Sequence, residues 1–203
     1  MPGNPLILVA TRNTGKFNEI GEILSGIPAR LVSLSDFPAI PDIIEDGATL
    51  RENAIIKAKT GFTLTGLPAL ADDSGLEVDA LGGEPGVRSA RFAGEAATFE
   101  QNNEKLLRML SRTAAEDRTA RFVCVASFFD GRREHMATGV CEGRIAARSR
   151  GRGGFGYDPL FIPLGERRTF GELPAAVKND RSHRASAFRQ MREFLSGYFN
   201  RPG

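Results

Sequence analysis

A chain of 203 residues, 41% hydrophobic and 26% charged, has the apolar content to bury a core and the length for one domain or two tightly joined lobes. No apolar run approaches the ~20 residues that cross a bilayer, and a formal net charge of +2 is too small an excess to argue for nucleic acid. The opening "MPGNPLILVATRN" carries no basic segment, and its apolar stretch is short for a secretory leader, so the expected compartment is the cytoplasm.

In chain order, residues 6–10 read as a buried strand, and Phe17, Ile20 and Leu24 recur at helical steps from Thr14 to Leu24. "ARLVSL" (29–34) is a second strand, and "SDFPAIPDIIEDG" (35–47), with two prolines, is a loop. Thr49 with Glu52 three residues on opens a helix to Thr63 by a capping box. "LPALA" (67–71) is a strand running into "DDSG", and the glycine-rich segment 77–94 reads as irregular. "TFEQNNEKLLRMLS" (98–111) is a helix with Leu106, Met109 and Leu110 on one face. Residues 119–147 alternate about Asp130-Gly131 and predict a long hairpin. A loop (148–158), a strand (159–163) and a last helix from near Ser182 past Phe194 complete the chain. Helices and strands are mixed and the hairpin is antiparallel, which predicts an α/β protein with a mixed sheet.

Cys124 and Cys141 stand in strand-like text, and neither has a second cysteine or a histidine at metal spacing. They read as buried, reduced thiols. With only His135 and His183 besides, any metal here is a hard ion held by carboxylates.

Three stretches carry chemistry. A strand feeding a helix through Thr11-Arg12-Asn13-Thr14-Gly15-Lys16 presents free backbone N–H groups and a favourable helix dipole to an anion. Gly15 permits close approach, Lys16 adds charge, and Thr11 and Asn13 add neutral hydrogen bonds; together these suit a polyphosphate. The spacing is not that of the nucleotide phosphate loop, and a merely capped helix with a solvated lysine is the alternative. Next, Asp72 and Asp73 follow an apolar strand, where successive side chains point to opposite faces. One of the pair is expected to look into a magnesium site to which Glu45 or Asp46 adds a further ligand; the other is expected to hold backbone or cap a turn at Ser74-Gly75. An Asp- and Gly-rich surface turn is the alternative. Lastly, "GGFGYDPLF" sets Phe155 and Tyr157 in a loop ahead of a strand, and "KNDRSHRASAF" puts Lys178, His183 and Arg184 about a helix start capped by Ser182. An aromatic there either stacks on a base or plugs the core.

Taken in order, "TRNTGK" (11–16), "EDGATLRENAIIKA" (45–58), "LADDSGLEVDALGGEPGVRSARFAG" (70–94), and "GGFGYDPLF" with "KNDRSHR" (153–184) resemble the inosine triphosphate pyrophosphatase family. The resemblance covers essentially the whole chain. It implies a single domain over 1–203 with an elongated mixed sheet flanked by helices, two lobes with a central cleft, and a homodimer. It also implies Mg²⁺-dependent cleavage of ITP, dITP or XTP to the monophosphate and pyrophosphate, with no nucleic-acid or membrane partner. By position, Thr11, Arg12, Asn13, Thr14, Gly15 and Lys16 match the phosphate turn, and Glu45 matches a metal ligand. Asp73 matches the general base and metal ligand, and Ser74 a substrate contact. Phe155, Gly156, Tyr157, Asp158, Lys178, His183 and Arg184 match the base-recognition set. Within that set Asp158 is expected to receive N1–H of hypoxanthine, and Arg184, His183 or nearby amides to donate to O6.

Two rivals remain from the residues. One is a pyrophosphatase for pyrimidine or modified nucleotides. The other is an RNA- or DNA-binding protein, supported by the alternating arginines of "RIAARSRGRGGFGYD" (144–158).

Overall fold

The structure, a computed structural model, describes residues 4 to 199. Strands β1 (Leu6–Val9), β2 (Arg30–Ser33), β3 (Ala69–Val78), β4 (Pro85–Gly86), β5 (Thr119–Phe129), β6 (Glu134–Ile145) and β7 (Phe161–Pro163) join in one seven-stranded sheet of order β2-β1-β3-β5-β6-β7, with β4 beside β3. β1 pairs in parallel with β2 and β3, whereas β4 on β3 and β7 on β6 are antiparallel. The sheet is therefore mixed, as the residue pattern predicts. Helices are α1 (Thr14–Ile23), α2 (Leu50–Thr65), α3 (Phe99–Met109), α4 (Ala175–Arg181) and α5 (His183–Phe199).

The helix starts follow from local chemistry. Asn13 caps α1, its side chain accepting from Lys16 N. Thr49 and Glu52 form the reciprocal capping box of α2, and Thr98 and Gln101 that of α3. α2 ends at Gly66, whose φ of 69° is left-handed, so the chain turns there without a Cβ penalty. The hairpin turn is fixed the same way: Asp130 Oδ1 accepts from Arg132 N and Arg133 N, and Gly131 takes a φ of 91°.

Two expectations need correction. Ser74-Gly75 is no turn; β3 continues through it to Val78. β4 packs so tightly there that a Cβ on Gly75 would lie 2.4 Å from Gly86 O, which is why a glycine stands in an unbroken strand. Met109 is 42% exposed while Leu106 and Leu110 are fully buried, so the apolar face of α3 is narrower than the pattern suggests. The last helix begins at His183, as expected; what the pattern missed is the short α4 before it, which ends at Ser182 in extended backbone.

The chain separates into two compact units. Among the described residues the first comprises 4–73, 124–139 and 184–199, and the second 74–123 and 140–183. In the first, Ile7, Val9, Ile20, Leu24, Leu70, Phe128, Phe188 and Met191 form one cluster, and Leu8, Val32, Leu34, Ala58 and Ala69 form another. In the second, Leu76, Phe92, Leu106, Phe122, Tyr157, Phe161 and Phe170 form the core. Each of these clusters collects strand and helix residues that are distant in sequence, so each unit buries apolar surface of its own. Cys124 and Cys141 are buried and neither is in a disulfide.

Candidate active site

In the first unit, β1 delivers the chain to the turn at 11–16. Thr11 Oγ1 accepts from Asn13 N at 3.1 Å, and Asn13 Oδ1 accepts from Lys16 N at 3.0 Å. These two bonds set the turn and leave the N–H groups of Thr14 and Gly15, at the start of α1, with no internal acceptor among the described residues. Such a pair at a helix N-terminus suits an anion. Arg12 is used differently. Its guanidinium bonds Asp42 Oδ1 at 2.7 Å and Leu34 O at 2.9 Å, and also Ile40 O, so it fastens the 34–42 loop to the turn.

Asp72 and Asp73 face opposite ways on β3, as strand alternation requires. Asp72 is buried; its Oδ2 lies 3.1 Å from Lys16 Nζ and 3.1 Å from an Arg184 terminal nitrogen. Another Arg184 nitrogen is 2.5 Å from Glu19 Oε2. Burial opposes the Asp72 charge, but Lys16 first, then Arg184, hold its carboxyl far below the usual carboxylate range. Asp72 thus has a role the sequence did not show: it caps no turn but joins Lys16 of the 11–16 turn to a buried arginine. Arg184 lies in this first unit, and the Asp72 and Glu19 bonds engage its guanidinium.

On the other face, Asp73 Oδ1 is 3.1 Å from Lys57 Nζ, which in turn is 2.8 Å from Glu45 Oε2. Asn53 Nδ2 donates to Asp73 Oδ2 at 3.2 Å, while its Oδ1 accepts from Gly47 N at 2.8 Å, just past Glu45. Burial, opposed by Lys57 and Lys16, leaves the Asp73 carboxyl above its ordinary value. Burial pulls the Lys57 ammonium down, but Asp73 and Glu45 outweigh it and hold it above its own. Lys57 and Asn53 were missed by motif reading. The signal was present: they are four apart on α2, on the face that also buries Ala54 and Ala58, and polar residues on a buried helix face call for partners. Asp46 forms no bond to this cluster.

Glu45 and Asp73, both within reach of one ammonium, are a hard-oxygen pair of the kind that binds Mg²⁺ with one or two carboxylates and substrate phosphates. No set of three or more acidic, histidine or cysteine side chains clusters for a metal among the described residues, so phosphate oxygens would have to complete the shell. The donor set fits that arrangement.

In the second unit, Asp158 organises the aromatic loop. Its Oδ2 accepts from Phe155 N at 2.8 Å and lies 2.5 Å from Lys178 Nζ, with both side chains buried. Lys178 Nζ also sits 4.4 Å from the centroid of the half-buried Phe155 ring. Asn103 Nδ2 donates to Gly156 O at 3.0 Å. Gly154, at a φ of 72°, admits no side chain, since a Cβ would meet Asp158 Oδ2 at 2.0 Å. Of the two aromatics, Tyr157 takes the core alternative left open by the sequence. Tyr157 is buried in the core and its hydroxyl donates to Ser89 O at 2.9 Å, whereas Phe155 keeps a partly open face. His183 is buried and stacks on Phe122 at 4.7 Å. Ser74 lies half-buried on β3, directly after Asp73.

The Ham1 family model matches residues 7–194. The chain is 50% identical over 190 residues to a dITP/XTP pyrophosphatase of Geobacter sulfurreducens, covering 93% of this chain and 96% of that protein. It is 47% identical to one from Desulforamulus reducens, with 94% and 95% covered. A HAM1 protein structure from Coxiella burnetii superposes with a TM-score of 0.86 at 41% identity, covering 95% of this chain and 99% of that one. The structure of a nucleoside-triphosphatase / dITP/XTP pyrophosphatase from Mycobacterium abscessus gives 0.72 at 42% identity, covering 94% and 98%. A match of this length in sequence and in structure answers the resemblance read from the four motifs: the chain is a member of the Ham1 family.

Proposed function

We propose that this chain hydrolyses non-standard purine nucleoside triphosphates (dITP, ITP and XTP) to the monophosphate and pyrophosphate, and so keeps deaminated purines out of DNA and RNA. The naming of its relatives supports the substrate class. The observation that carries the chemistry is the pair of back-to-back aspartates: Asp73 joins Glu45 through Lys57, while Asp72 ties down Lys16 of the anion turn.

Within the chain, the Thr14 and Gly15 N–H groups and Lys16 hold phosphate oxygens and offset the charge that grows on the leaving pyrophosphate. Asp73 takes the proton of the water that displaces pyrophosphate from the α-phosphorus, a contribution typically worth ~10²–10⁴-fold. Lys57 keeps the two carboxylates together and oriented. A divalent cation, proposed as Mg²⁺, would be held by Glu45 and Asp73 and would supply polarisation of the phosphates.

On the base side the proposal assigns stacking to Phe155 and donation to O6 to Lys178. Hypoxanthine and xanthine offer an acceptor at position 6 and a donor at N1, the reverse of adenine, and each mismatched buried partner costs ~1–3 kcal/mol. His183, packed on Phe122, and Asp158, on the loop amide, act by shaping this set. Arg184, tied to Asp72 and Glu19, acts on the phosphate side by holding the Asp72–Lys16 pair. Thr11, Asn13 and Arg12 shape the turn, and Ser74 stands beside Asp73 as a substrate contact.

The whole chain is proposed as one catalytic domain, since β3, β5 and β6 each run through both units. It is further proposed to act in the cytoplasm, which two cysteines outside any disulfide suit, and as a homodimer, for which Val140, 45% exposed on β6, is one available apolar side chain. The test is a triphosphate panel with and without EDTA, quantifying monophosphate and pyrophosphate. Rapid, EDTA-sensitive release of pyrophosphate from dITP, ITP and XTP, with ATP and GTP slow, is expected. Release of orthophosphate instead, or equal rates on ATP, would overturn the reading.

A further inference from the structure

The arginine-rich segment at 144–152 takes no part in the site above, yet it builds a feature of its own. A cavity of about 230 Å³ in the second unit is lined by Arg144, Arg148, Arg150 and Arg167, with Ala146 and Ile162 among its apolar walls. Arg144, Arg148 and Arg167 are exposed, and none of them forms an ion pair among the described residues. Arg150 is 3.4 Å from Glu172. Glu166, next to Arg167 in sequence, is engaged by Arg181 at 3.0 Å, while Glu116 and Asp117 follow Ala115 of the lining. Four arginines therefore line one hollow whose lining includes no acidic residue, and Arg152 and Arg168 flank it in sequence.

The frame is fixed before any ligand arrives. Ala146 N donates to Leu160 O at 2.8 Å, Arg150 N to Pro159 O at 2.9 Å, and Arg118 binds Leu110 O and Thr113 O while its own carbonyl accepts from Ile145 N. Arg150 Nη2 donates to Arg167 O at 3.0 Å, and Thr169 Oγ1 to Arg150 O at 2.8 Å. Holding like charges together in this way is unfavourable in the free protein, and an anion relieves it. Guanidinium is the side chain best matched to phosphate oxygens, which it engages by paired hydrogen bonds.

The size selects among anions. Drug-sized ligands occupy ~300–1,000 Å³, so this hollow suits a bare di- or triphosphate group rather than a whole nucleotide. We propose that the Arg144–Arg148–Arg150–Arg167 hollow is a second anion site, separate from the turn at 11–16, that binds the phosphate chain of inorganic pyrophosphate or of a nucleotide's tail.

The experiment is an amide NMR titration of the full chain with inorganic pyrophosphate, without divalent ions and at constant ionic strength balanced with sodium chloride. A parallel titration uses ITP in place of pyrophosphate to separate the two sources. Saturable shifts at residues 144–150 and 167 are expected with either ligand, resolved from those at 14–16. Arg144→Ser with Arg148→Ser should weaken that binding roughly tenfold or more, leaving the shifts at 14–16, the melting temperature and ITP turnover unchanged. The inference falls if chloride alone reproduces the shifts, or if the double variant binds pyrophosphate as the wild type does. It also falls if a single-stranded RNA oligomer saturates the same amides at lower concentration than pyrophosphate, which would make this face a nucleic-acid surface.

Discussion

Lys57 and Asp73 meet 3.1 Å apart with both side chains buried, and the same ammonium reaches Glu45 at 2.8 Å. One cation thus holds two carboxylates that would otherwise repel. Replacing Lys57 by Met keeps the stem and removes the charge. Asp73 is then left buried without its ammonium, and losing one partner of a buried pair costs ~3–5 kcal/mol. We expect Lys57→Met to lower the urea midpoint measurably and to cut ITP turnover by at least ~10²-fold. A variant with wild-type turnover would show that the ammonium is only structural.

Asp73→Asn preserves shape and can still accept from Asn53, so the fold should hold with a melting temperature close to wild type. What is lost is the proton acceptor and an anionic oxygen for the cation. Pyrophosphate release from ITP should drop by ~10²–10⁴-fold. The assay is single-turnover release with saturating magnesium, and near-normal rates would remove Asp73 from the centre of the reaction.

Asp72 gives a pH signature. Its folded-state carboxyl is held well below the ordinary value by Lys16 and Arg184, so the pairing contributes stability above the unfolded pKa of ~3.9 and loses it as pH falls through the lower folded value. The urea-denaturation difference between wild type and Asp72→Asn, measured in EDTA, should therefore be full at neutral pH. It should begin to shrink only below about pH 3.9. A gap that closes at mildly acidic pH would mean that the Lys16 and Arg184 contacts do not act on Asp72 in solution.

The base-side loop depends on Gly154. At a φ of 72°, with its would-be Cβ 2.0 Å from Asp158 Oδ2, alanine must displace the carboxylate that holds Phe155 N and Lys178. Strain of this kind costs of order 1–3 kcal/mol. Gly154→Ala should raise KM for ITP and narrow the preference for ITP over ATP, with a smaller effect on the maximal rate. Competition assays with mixed triphosphates read the ratio directly.

Arg184→Lys keeps the charge but loses the fork that spans Asp72 and Glu19. It should destabilise the chain by ~1–3 kcal/mol, scored by denaturant midpoint. An unchanged midpoint would contradict the buried placement.

Local chemistry was legible in the residues themselves. The strand–turn–helix at 6–24, the capping box of Thr49 with Glu52 and the hairpin about Asp130-Gly131 rest on interactions a few residues long, and such interactions can be read from adjacent letters. The strand alternation that separates Asp72 from Asp73 was readable for the same reason. What stood on either side was not. The partner of Asp72 is Arg184, 112 residues away, and that of Glu45 is Lys57 on the buried face of α2. β3 ran on through Ser74-Gly75 because the Gly86 backbone packs against it, and Tyr157 went to the core while Phe155 stayed half-buried. These outcomes are settled by which distant groups the folded chain brings within hydrogen-bond range, since a buried charge is tolerated only where an opposite one meets it. Short-range pattern carries no information about that meeting, and the tertiary structure alone supplies it.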